Sequence, residues 1–412
     1  LRPMRVESVV WVAERKDVLS GFFYLLALNV YVTYCRHRNK FLYALTILAA
    51  TLSLLAKPVV VHFIIIVFLI DWFFKRSWDR RQFFEKAGIY LPLALLSQIT
   101  FNIHPRATMF MADFHLQAIG EKILLSCWGY VFYLKSFLLP IISVLFHRPP
   151  QPIQLSDPAY QMSVVGIAFI IGSLILFRQK RLYVFFIIFL SLSLSIVLLF
   201  PQTTYALRVG HRHMYIPSIG LCIFLGVVCT HTYQKLESHC FWQRGYTCLC
   251  IFLVLTLMYK TIQQTHVWQN SISLWRHQLR HNPQTISALL YNKLGAAYLM
   301  DETVRDRIKQ GEDHRFIYQI MDYQFKALAI KPDFASAYYD LARIYLLMGD
   351  VDKSIYFTQQ PIKLAPKRAA GYYHLGKLYL RLKEPEKAMA LFHQARILNP
   401  ASEREIHRLL VQ

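Results

Sequence analysis

Long apolar runs alternate with short basic connectors over about the first two thirds of the chain. A helix needs roughly 20 apolar residues, and about 17 at the least, to cross the hydrocarbon core of a bilayer. By this measure the pattern predicts eight crossings, of which the second is short. The predicted spans cover residues 11–34, 41–56, 58–74, 87–102, 161–177, 182–200, 214–233 and 246–263.

The basic connectors orient these spans, because cytoplasmic loops of membrane proteins carry an excess of Lys and Arg. Four connectors are strongly basic and are predicted to be cytoplasmic: CRHRNK, KRSWDRRQFFEK, RQKR and YQKLESHCFWQR. Leu1 and everything after residue 264 are then predicted to lie on the opposite, external side of the membrane.

One apolar stretch does not fit a simple span. Residues 103–121 and 147–160 both fall on the external side in this scheme, so the stretch between them must cross an even number of times. Lys135 lies at its middle and Pro140 follows. We therefore expect a re-entrant hairpin, or helices lying near the outer interface, around residues 122–146, packed on other protein as backbone at this depth requires.

A polar helical pattern with a period of 34 residues occupies the rest of the chain, residues 265–412. Leu341, Ala342, Tyr345, Ser354 and Pro366 recur one period later as Leu375, Gly376, Tyr379, Ala388 and Pro400. This pattern resembles the tetratricopeptide repeat, a helix–turn–helix unit, and predicts repeats over 288–334, 335–368 and 369–402. The first repeat carries an inserted segment, DETVRDRIKQGED, between its two helices.

Stacked repeats of this kind leave a concave surface. We expect that surface to bind a peptide or protein in the region of Tyr345 and Tyr379. The alternative is that the repeats only cap or orient the membrane part.

Composition and charge agree with a membrane protein. Apolar residues make up 55% of the chain and charged residues 17%, whereas soluble domains carry about 25% charge. The net charge of +22 could by itself indicate nucleic-acid binding. Its Lys and Arg residues in the first part lie in the short connectors, however, so no nucleic-acid partner is expected. The seven cysteines include no CxxC pair, which gives no sign of a disulfide framework or a zinc site.

The candidate chemistry lies on the predicted outer side of the membrane. No P-loop, GxGxxG, HExxH or GxSxG motif is present. Ionisable residues near membrane depth usually face a cavity or one another and indicate function. The outer set comprises Glu7, Arg15, Asp17, Lys57, His104, Arg208, His211, Arg212 and His213.

Each member of this set also has a plainer interpretation, as a solvated helix start, a loop residue or a Lys side chain that reaches the interface. His211 and His213 alone are too few to predict a metal site, and none is expected. Asp71 falls near the cytoplasmic end of its span and is interpreted as structural.

Six motifs occur in an order that makes a resemblance specific. They are VESVVWVAERKDVLS, AKPVV, LIDWFFKR, GYVFYLKSFLLP, HMYIPSIGL and VWQNSISLWRHQLRHNP. In this order they resemble bacterial multi-spanning proteins with C-terminal tetratricopeptide repeats, which are related to the TMTC family of protein O-mannosyltransferases. The likeness runs over nearly the whole chain.

The resemblance implies an all-α protein with two parts. Residues 1–264 would form a polytopic GT-C-like membrane domain, and residues 265–412 a tetratricopeptide-repeat α-solenoid. The implied activity is transfer of a sugar from a polyprenyl-phosphate donor to an extracytoplasmic acceptor, with protein hydroxyls as the first candidate and no further cofactor. The implied location is the bacterial inner membrane, with the lipid bilayer as a partner and the repeats in the periplasm.

The resemblance also assigns roles to residues. Glycosyl transfer to a hydroxyl needs a base for the acceptor and positive charge for the departing phosphate. Arg212 matches the family Arg before YIPSIGL, so we expect it to hold the donor phosphate with Lys57 and Arg15. Glu7 is the catalytic candidate, which positions either the acceptor or a cationic partner. The main catalytic acid of the relatives lies in a loop that would precede Leu1, and we expect the sequence to be N-terminally truncated.

The chain departs from the family pattern at its outer face. Arg2 and Arg5 stand where relatives have histidines, and His211 and His213 replace the Asp and Tyr on either side of the family Arg. These departures keep a second hypothesis open, a non-catalytic membrane-anchored scaffold for envelope protein assembly. A transporter has less support, because no inverted repeat of the spans is visible.

Overall fold

The computed structural model describes residues 2–57, 62–76, 79–103, 119–139, 143–145, 147, 149–199, 210–237, 239–281, 287–310 and 314–411. His104 and Arg208, two members of the predicted outer set, lie outside these ranges. Throughout the described ranges the regular elements are helices, so the all-α prediction is confirmed. The chain divides into two compact units, Leu1–Trp268 and Gln269–Gln412, close to the boundary predicted at residue 264.

Ten α-helices of the first unit lie in the described ranges. They are α1 Val6–Val10, α2 Arg15–His37, α3 Lys40–Ala56, α4 Phe63–Phe73, α5 Arg80–Ile103, α6 Ile119–Leu138, α7 Pro158–Leu176, α8 Arg181–Leu199, α9 Pro217–Lys235 and α10 Cys240–Val267. Short 3-10 turns precede α1, α2 and α9, at Pro3–Arg5, Val12–Glu14 and His211–Met214.

Each of the eight predicted spans coincides with a helix, α2 to α5 and α7 to α10. Within the described residues, four helices are long and apolar enough to cross a membrane: Val12–His37, Pro158–Leu176, Arg181–Leu198 and Cys240–Val267. Helices α3 and α4 are apolar but shorter, with 17 and 11 residues. The first unit is thus suited to a membrane, while the number of eight crossings stays a prediction.

The pair α2 and α3 builds the frame of the first unit. Ser20 and Ser53 exchange hydrogen bonds, each hydroxyl donating to the other residue's carbonyl oxygen, at 3.0 and 2.9 Å. Small residues let two backbones approach this closely. Because the two helices run antiparallel, the first turn of α2 lies beside the end of α3, and Asp17 is brought to Lys57.

The stretch around 122–146 is described in part. Residues Ile119–Leu138 form one continuous helix of 20 residues, α6, with Lys135 in its last turn. This helix packs on α7 and α8. Residues 140–142 and 146 lie outside the described ranges, so the re-entrant or interfacial hairpin stays a prediction.

Helix α6 makes side-chain hydrogen bonds along α8 and to the segment before α9. The Ser126 hydroxyl donates to the carbonyl of Leu198, at the end of α8, and the Tyr130 hydroxyl lies 2.9 Å from the Ser191 hydroxyl, in the middle of α8. The Tyr133 hydroxyl donates to the carbonyl of Gly210, just before the turn that leads into α9. These contacts fix α6 against its neighbours over several turns.

The second unit is a series of helix pairs. Its helices are α11 Ser271–His281, α12 Ala288–Met300, α13 Glu302–Lys309, α14 His314–Ile330, α15 Ala335–Leu347, α16 Val351–Leu364, α17 Ala369–Arg381, α18 Pro385–Leu398 and α19 Glu403–Val411. The pairs α12–α14, α15–α16 and α17–α18 coincide with the three predicted repeats, and α13 occupies the insertion within the first.

Small residues set the close packing within these pairs. A Cβ on Gly376 of α17 would lie 2.7 Å from the ring of Phe392 in α18. Ala388 and Ala395 of the same helix are fully buried. Gly349 ends α15 with a φ of +82°, a conformation that favours glycine, and so allows the tight turn into α16.

Candidate functional site

Three carboxylates and two cations meet at the start of α2, the end of α3 and the 3-10 turn before α9. We refer to them as the outer network: Glu7, Glu14, Asp17, Lys57 and Arg212. The carboxylates are almost completely removed from solvent, at 2 to 7% exposure. Sequence positions about 200 residues apart thus form one cluster.

Glu7 and Arg212 form the centre of the outer network. The Arg212 side chain donates from Nη1 to Glu7 Oε1 at 2.8 Å, and the Arg212 backbone N–H donates to Oε2 at 3.2 Å. Burial favours the uncharged form of both groups and raises the pKa of Glu7. The guanidinium also loses hydration, but Glu7 and Glu14 outweigh that effect and raise the pKa of Arg212.

A second ion pair continues the outer network. Lys57 Nζ lies 2.5 Å from Asp17 Oδ1, and the Ser8 hydroxyl donates to the other carboxylate oxygen of Asp17 at 3.1 Å. Glu14 lies farther from its partners, at 3.7 Å from Arg212 Nε and 3.8 Å from Lys16 Nζ. Glu14 is therefore the carboxylate least committed to a partner.

The free space beside the outer network is small. A cavity of about 20 Å³ is lined by residues that include Asp17, Lys57, His62, Arg212 and His213. A volume of roughly 10–15 Å³ is enough for one water molecule. The cavity as observed has room for a water molecule, and a sugar or a phosphate needs the surrounding side chains to move.

The remaining predicted residues of the membrane part lie around this network. Arg15 is exposed in the first turn of α2, and no ion pair of it is found among the described residues. Arg2 and Arg5, which stand where relatives have histidines, form hydrogen bonds with residues outside the outer network. The Arg2 guanidinium donates to the carbonyl of Phe137 at 2.5 Å, and Arg5 Nε donates to the Ser218 hydroxyl at 3.0 Å.

His211 belongs to a pair that the sequence did not indicate. Its Nε2 lies 3.1 Å from Nε2 of His147. Burial lowers the pKa of His147 to about 4 and that of His211 to about 3, so both rings are neutral at neutral pH. Within the described ranges no group of three or more His, Cys, Asp or Glu side chains is placed to hold a metal ion.

His213 is buried on the other side of Arg212. Loss of hydration, followed by the positive charges of Arg212 and Lys57, lowers the pKa of His213 well below its ordinary value. A neutral imidazole here avoids a third positive charge beside the two cations.

A second buried ionic cluster lies at the C-terminal ends of α2 and α4, away from the outer network. Asp71 is 1% exposed and pairs with Lys86 and, at 2.9 Å, with Arg76. Arg76 in turn pairs with Glu85 at 3.1 Å. Every charge here has a partner, which agrees with the structural interpretation of Asp71. The pairing could not be inferred from sequence, because it joins the end of α4 to the second turn of α5.

The two tyrosines predicted for peptide binding pack within their own repeats. Tyr345 stacks on Phe357 of α16, with ring centroids 5.3 Å apart and an angle of 5° between the planes. Tyr379 packs in a cluster with Ala388, Phe392 and Ile406. Both side chains thus help to hold the two helices of a repeat together, and since both are only half-buried, their role in peptide binding stays a prediction.

Taken together, the outer network has the residue types for handling a phosphate and a hydroxyl, but its cations are already neutralised. Arg212 and Lys57 each have a carboxylate within 3 Å. An incoming phosphate would have to compete with Glu7 and Asp17 for them. Glu14, with its longer contacts, is the group most available to accept a proton.

Comparison with known proteins identifies the repeats and a partial likeness. Tetratricopeptide-repeat models match residues 325–356 and 369–402, which confirms that prediction. Protein O-mannosyl-transferase TMTC3 from Homo sapiens and from Mus musculus is 25% identical over 138 residues. That stretch is 33% of this chain but spans only 13% of the length of each relative.

Solved structures with a likeness include two described as the crystal structure of MamA and of MamA protein. They are 21% and 19% identical, cover 42% and 43% of this chain and 87% and 93% of their own, and have TM-scores of 0.24 and 0.25.

Proposed function

We propose that this chain is a membrane glycosyltransferase-like protein that acts with a polyprenyl-phosphate-linked sugar and an extracytoplasmic acceptor, namely protein hydroxyls. The likeness to protein O-mannosyl-transferase TMTC3, combined with repeats of the tetratricopeptide type, carries this proposal. Repeats of this type generally bind other proteins, and a protein acceptor is the natural partner for them.

The outer network is the proposed place of the chemistry. Glu7, Arg212 and Lys57 lie together at one end of α2, α3 and α9, where a lipid-linked donor would present its phosphate. In this proposal the donor phosphate replaces one carboxylate on Arg212, whose planar guanidinium can hold two oxygens at once. The Glu7 carboxylate released in that exchange then orients the acceptor hydroxyl.

A second candidate function has an observation of its own. The two central cations are fully paired, and the cavity beside them holds about 20 Å³. A closed and neutralised network is what a non-catalytic, membrane-anchored scaffold would need for stability. Under this alternative the repeats recruit envelope proteins and no sugar is transferred.

The two functions are separated by a transfer assay. The full-length protein, reconstituted in vesicles, is given a polyprenyl-phosphate-linked radioactive mannose and total envelope protein as acceptor. If the first proposal holds, Arg212→Ala should abolish transfer, Arg212→Lys should weaken it because the planar fork is lost, and Arg178→Ala should change nothing. Arg178 is an exposed residue that follows α7, far along the chain from the network.

Transfer by Arg212→Ala at the parent rate would remove Arg212 from the mechanism. Absence of transfer by the parent with every polyprenyl-phosphate sugar offered would favour the scaffold.

A further inference from the structure

The repeat unit contains a cavity of about 300 Å³ between successive repeats. It is lined by residues of α15 and α17, the first helices of the second and third repeats, with Ser354 and Thr358 of α16 at its side. First helices of stacked repeats line the concave surface. The polar residues that decide its chemistry are Tyr339, Asp340, Arg343, His374, Lys377 and Arg381.

Three cations in this cavity lack a carboxylate partner. Among the described residues, no Asp or Glu oxygen lies within ion-pair distance of Arg343, Lys377 or Arg381. Some other cations of the unit are paired, as Lys353 is with Asp350 at 2.7 Å. The cavity therefore places three cations beside a single carboxyl group, that of Asp340, and carries excess positive charge.

Arg343 experiences electrostatic repulsion from neighbouring cations in this arrangement. Its side chain is half-buried, and burial lowers its pKa. Asp340 opposes that shift, while the positive charges of Arg305 and Arg381 add to it. An anion bound between Arg343 and Arg381 would relieve the repulsion between them.

One acid, Asp340, lines the same cavity, and two side-chain amides donate hydrogen bonds to its carboxyl group. Asn292 Nδ2 donates to Asp340 Oδ2 at 2.6 Å, and Gln324 Nε2 donates to the same oxygen at 3.4 Å. These amides fix the carboxyl group, so it presents an acceptor beside the three cations. Tyr339 and His374 add a flat surface, since their rings stack with centroids 3.9 Å apart.

We propose that this groove binds an acidic peptide segment, with peptide carboxylates on Arg343, Lys377 and Arg381 and a peptide N–H donating to Asp340. The combination favours a peptide over a nucleic acid, because a polyphosphate backbone has no donor for a buried carboxyl group and is repelled by it. The inference deepens the protein-binding role of the repeats proposed above and does not depend on sugar transfer.

A binding assay on the complete chain in detergent tests this inference. The probe is a fluorescein-labelled peptide with several Glu residues between Gly and Ser, and its matched control carries Gln in place of each Glu. At about 0.15 M salt we expect the Glu peptide to bind at least about tenfold more tightly than the Gln peptide, because charge-assisted bonds to Arg are lost in the latter.

Variants locate the binding. Arg343→Glu and Arg381→Glu should each weaken the Glu peptide by about tenfold or more, and Arg381 is exposed, so its replacement leaves the fold intact. Lys363→Glu makes the same change of net charge on the exposed side of α16 and should alter the affinity less than twofold. Arg212→Ala, the test variant for sugar transfer, should bind the peptide as the parent does.

Three results would overturn the inference. The first is equal affinity for the Glu and Gln peptides, and the second is a loss of affinity with Lys363→Glu as large as with Arg343→Glu. The third is an oligonucleotide of matched charge that binds as tightly as the Glu peptide and whose binding is lost with Arg343→Glu. The last result would make the groove a general polyanion site.

Discussion

Glu7 is 2% exposed, and a carboxylate removed this far from water needs a cation or hydrogen-bond donors beside it. Arg212 supplies both a guanidinium and a backbone N–H. At the residue scale, each buried charge of the outer network is therefore stabilised by an oppositely charged neighbour. The loss of one partner should cost more than the loss of both.

This dependence gives a prediction on stability. Glu7→Gln leaves the Arg212 guanidinium buried beside a neutral amide, and we expect a loss of about 3 kcal/mol in the free energy of unfolding. Glu7→Gln combined with Arg212→Met removes both charges and should recover part of that loss. Thermal unfolding in detergent measures both, with exposed Arg15→Gln as the control. A double variant as unstable as the sum of the two single changes would contradict the coupling.

Asp340 gives a prediction on pH. Burial is the main reason that its pKa is raised to about 6, with Asn292, Arg343 and Lys293 opposing it. The unfolded chain keeps an ordinary value near 3.8, so the folded state holds the proton more tightly. The contribution of Asp340 to stability is thus complete below about pH 4 and is lost as the pH rises through about 6.

The measurement compares the parent with Asp340→Asn, which keeps an acceptor for Asn292 but cannot titrate. Between pH 7.5 and 5 the parent should gain stability relative to this variant, by about 1.4 kcal/mol. If the free energies of unfolding of the parent and of Asp340→Asn changed equally with pH across this range, Asp340 would not titrate there.

At the scale of elements, α6 is the informative helix. The end of α3 and the turn before α9 meet in the outer network, and five helices, α4 to α8, lie between them in the described chain. If all five crossed a membrane, an odd number of crossings would put Lys57 and Arg212 on opposite sides. At least one of them must therefore not cross. The charge pattern of the connectors favours α6, whose two flanks both fall on the external side when the basic connectors are cytoplasmic.

This arrangement predicts where the flanks of α6 are accessible. In a variant without native cysteines, single cysteines at Glu121 and at Leu155 should both react with a membrane-impermeant maleimide added from the same side. A cysteine at Lys180, in the basic connector after α7, should react only from the other side. Opposite reactivity of positions 121 and 155 would mean that α6 crosses once.

At the scale of the whole molecule, two units of different character share one chain. The first exposes many large apolar side chains, such as Phe169 and Phe241, and contains the four helices suited to a membrane. The second buries small and aromatic residues in helix pairs with polar outer faces, as stacked repeats require. One chain thus combines helices suited to a membrane with repeats of a type that generally binds other proteins.

The positive-inside pattern predicts on which side that second surface lies. Two spans, α9 and α10, separate Arg212 from residue 269, so the repeats should be external when the basic connectors are cytoplasmic. Protease added to intact spheroplasts that express the chain should remove residues 269–412 and spare a cytoplasmic marker protein. Survival of the repeats until the membrane is broken would reverse the orientation.

The sequence by itself determined the broad architecture. Apolar runs of the length of a span predicted the positions of the membrane helices, because helix length and bilayer thickness are fixed. The period of 34 residues predicted the three repeats and the inserted segment, because each repeat places its small residues where two helices approach. Glu7, Asp17, Lys57 and Arg212 could be selected because charges are rare in such surroundings.

Only the tertiary structure decided which of these charges pair and where the repeat unit leaves a cavity. Glu7 and Arg212 are 205 residues apart, and no local pattern specifies such a contact. His147 had no signal of its own, and no sequence pattern specified that α6 packs on α7 and α8. The periodicity of the repeats selects Tyr345 and Tyr379 as motif positions but does not say which residues their side chains contact. Arg343 and Arg381 are recognised as lining one cavity only when the repeats are stacked. Pairing between distant charges is set by the folded backbone, because the free energy of an ion pair depends on distance and burial, and a linear sequence carries neither.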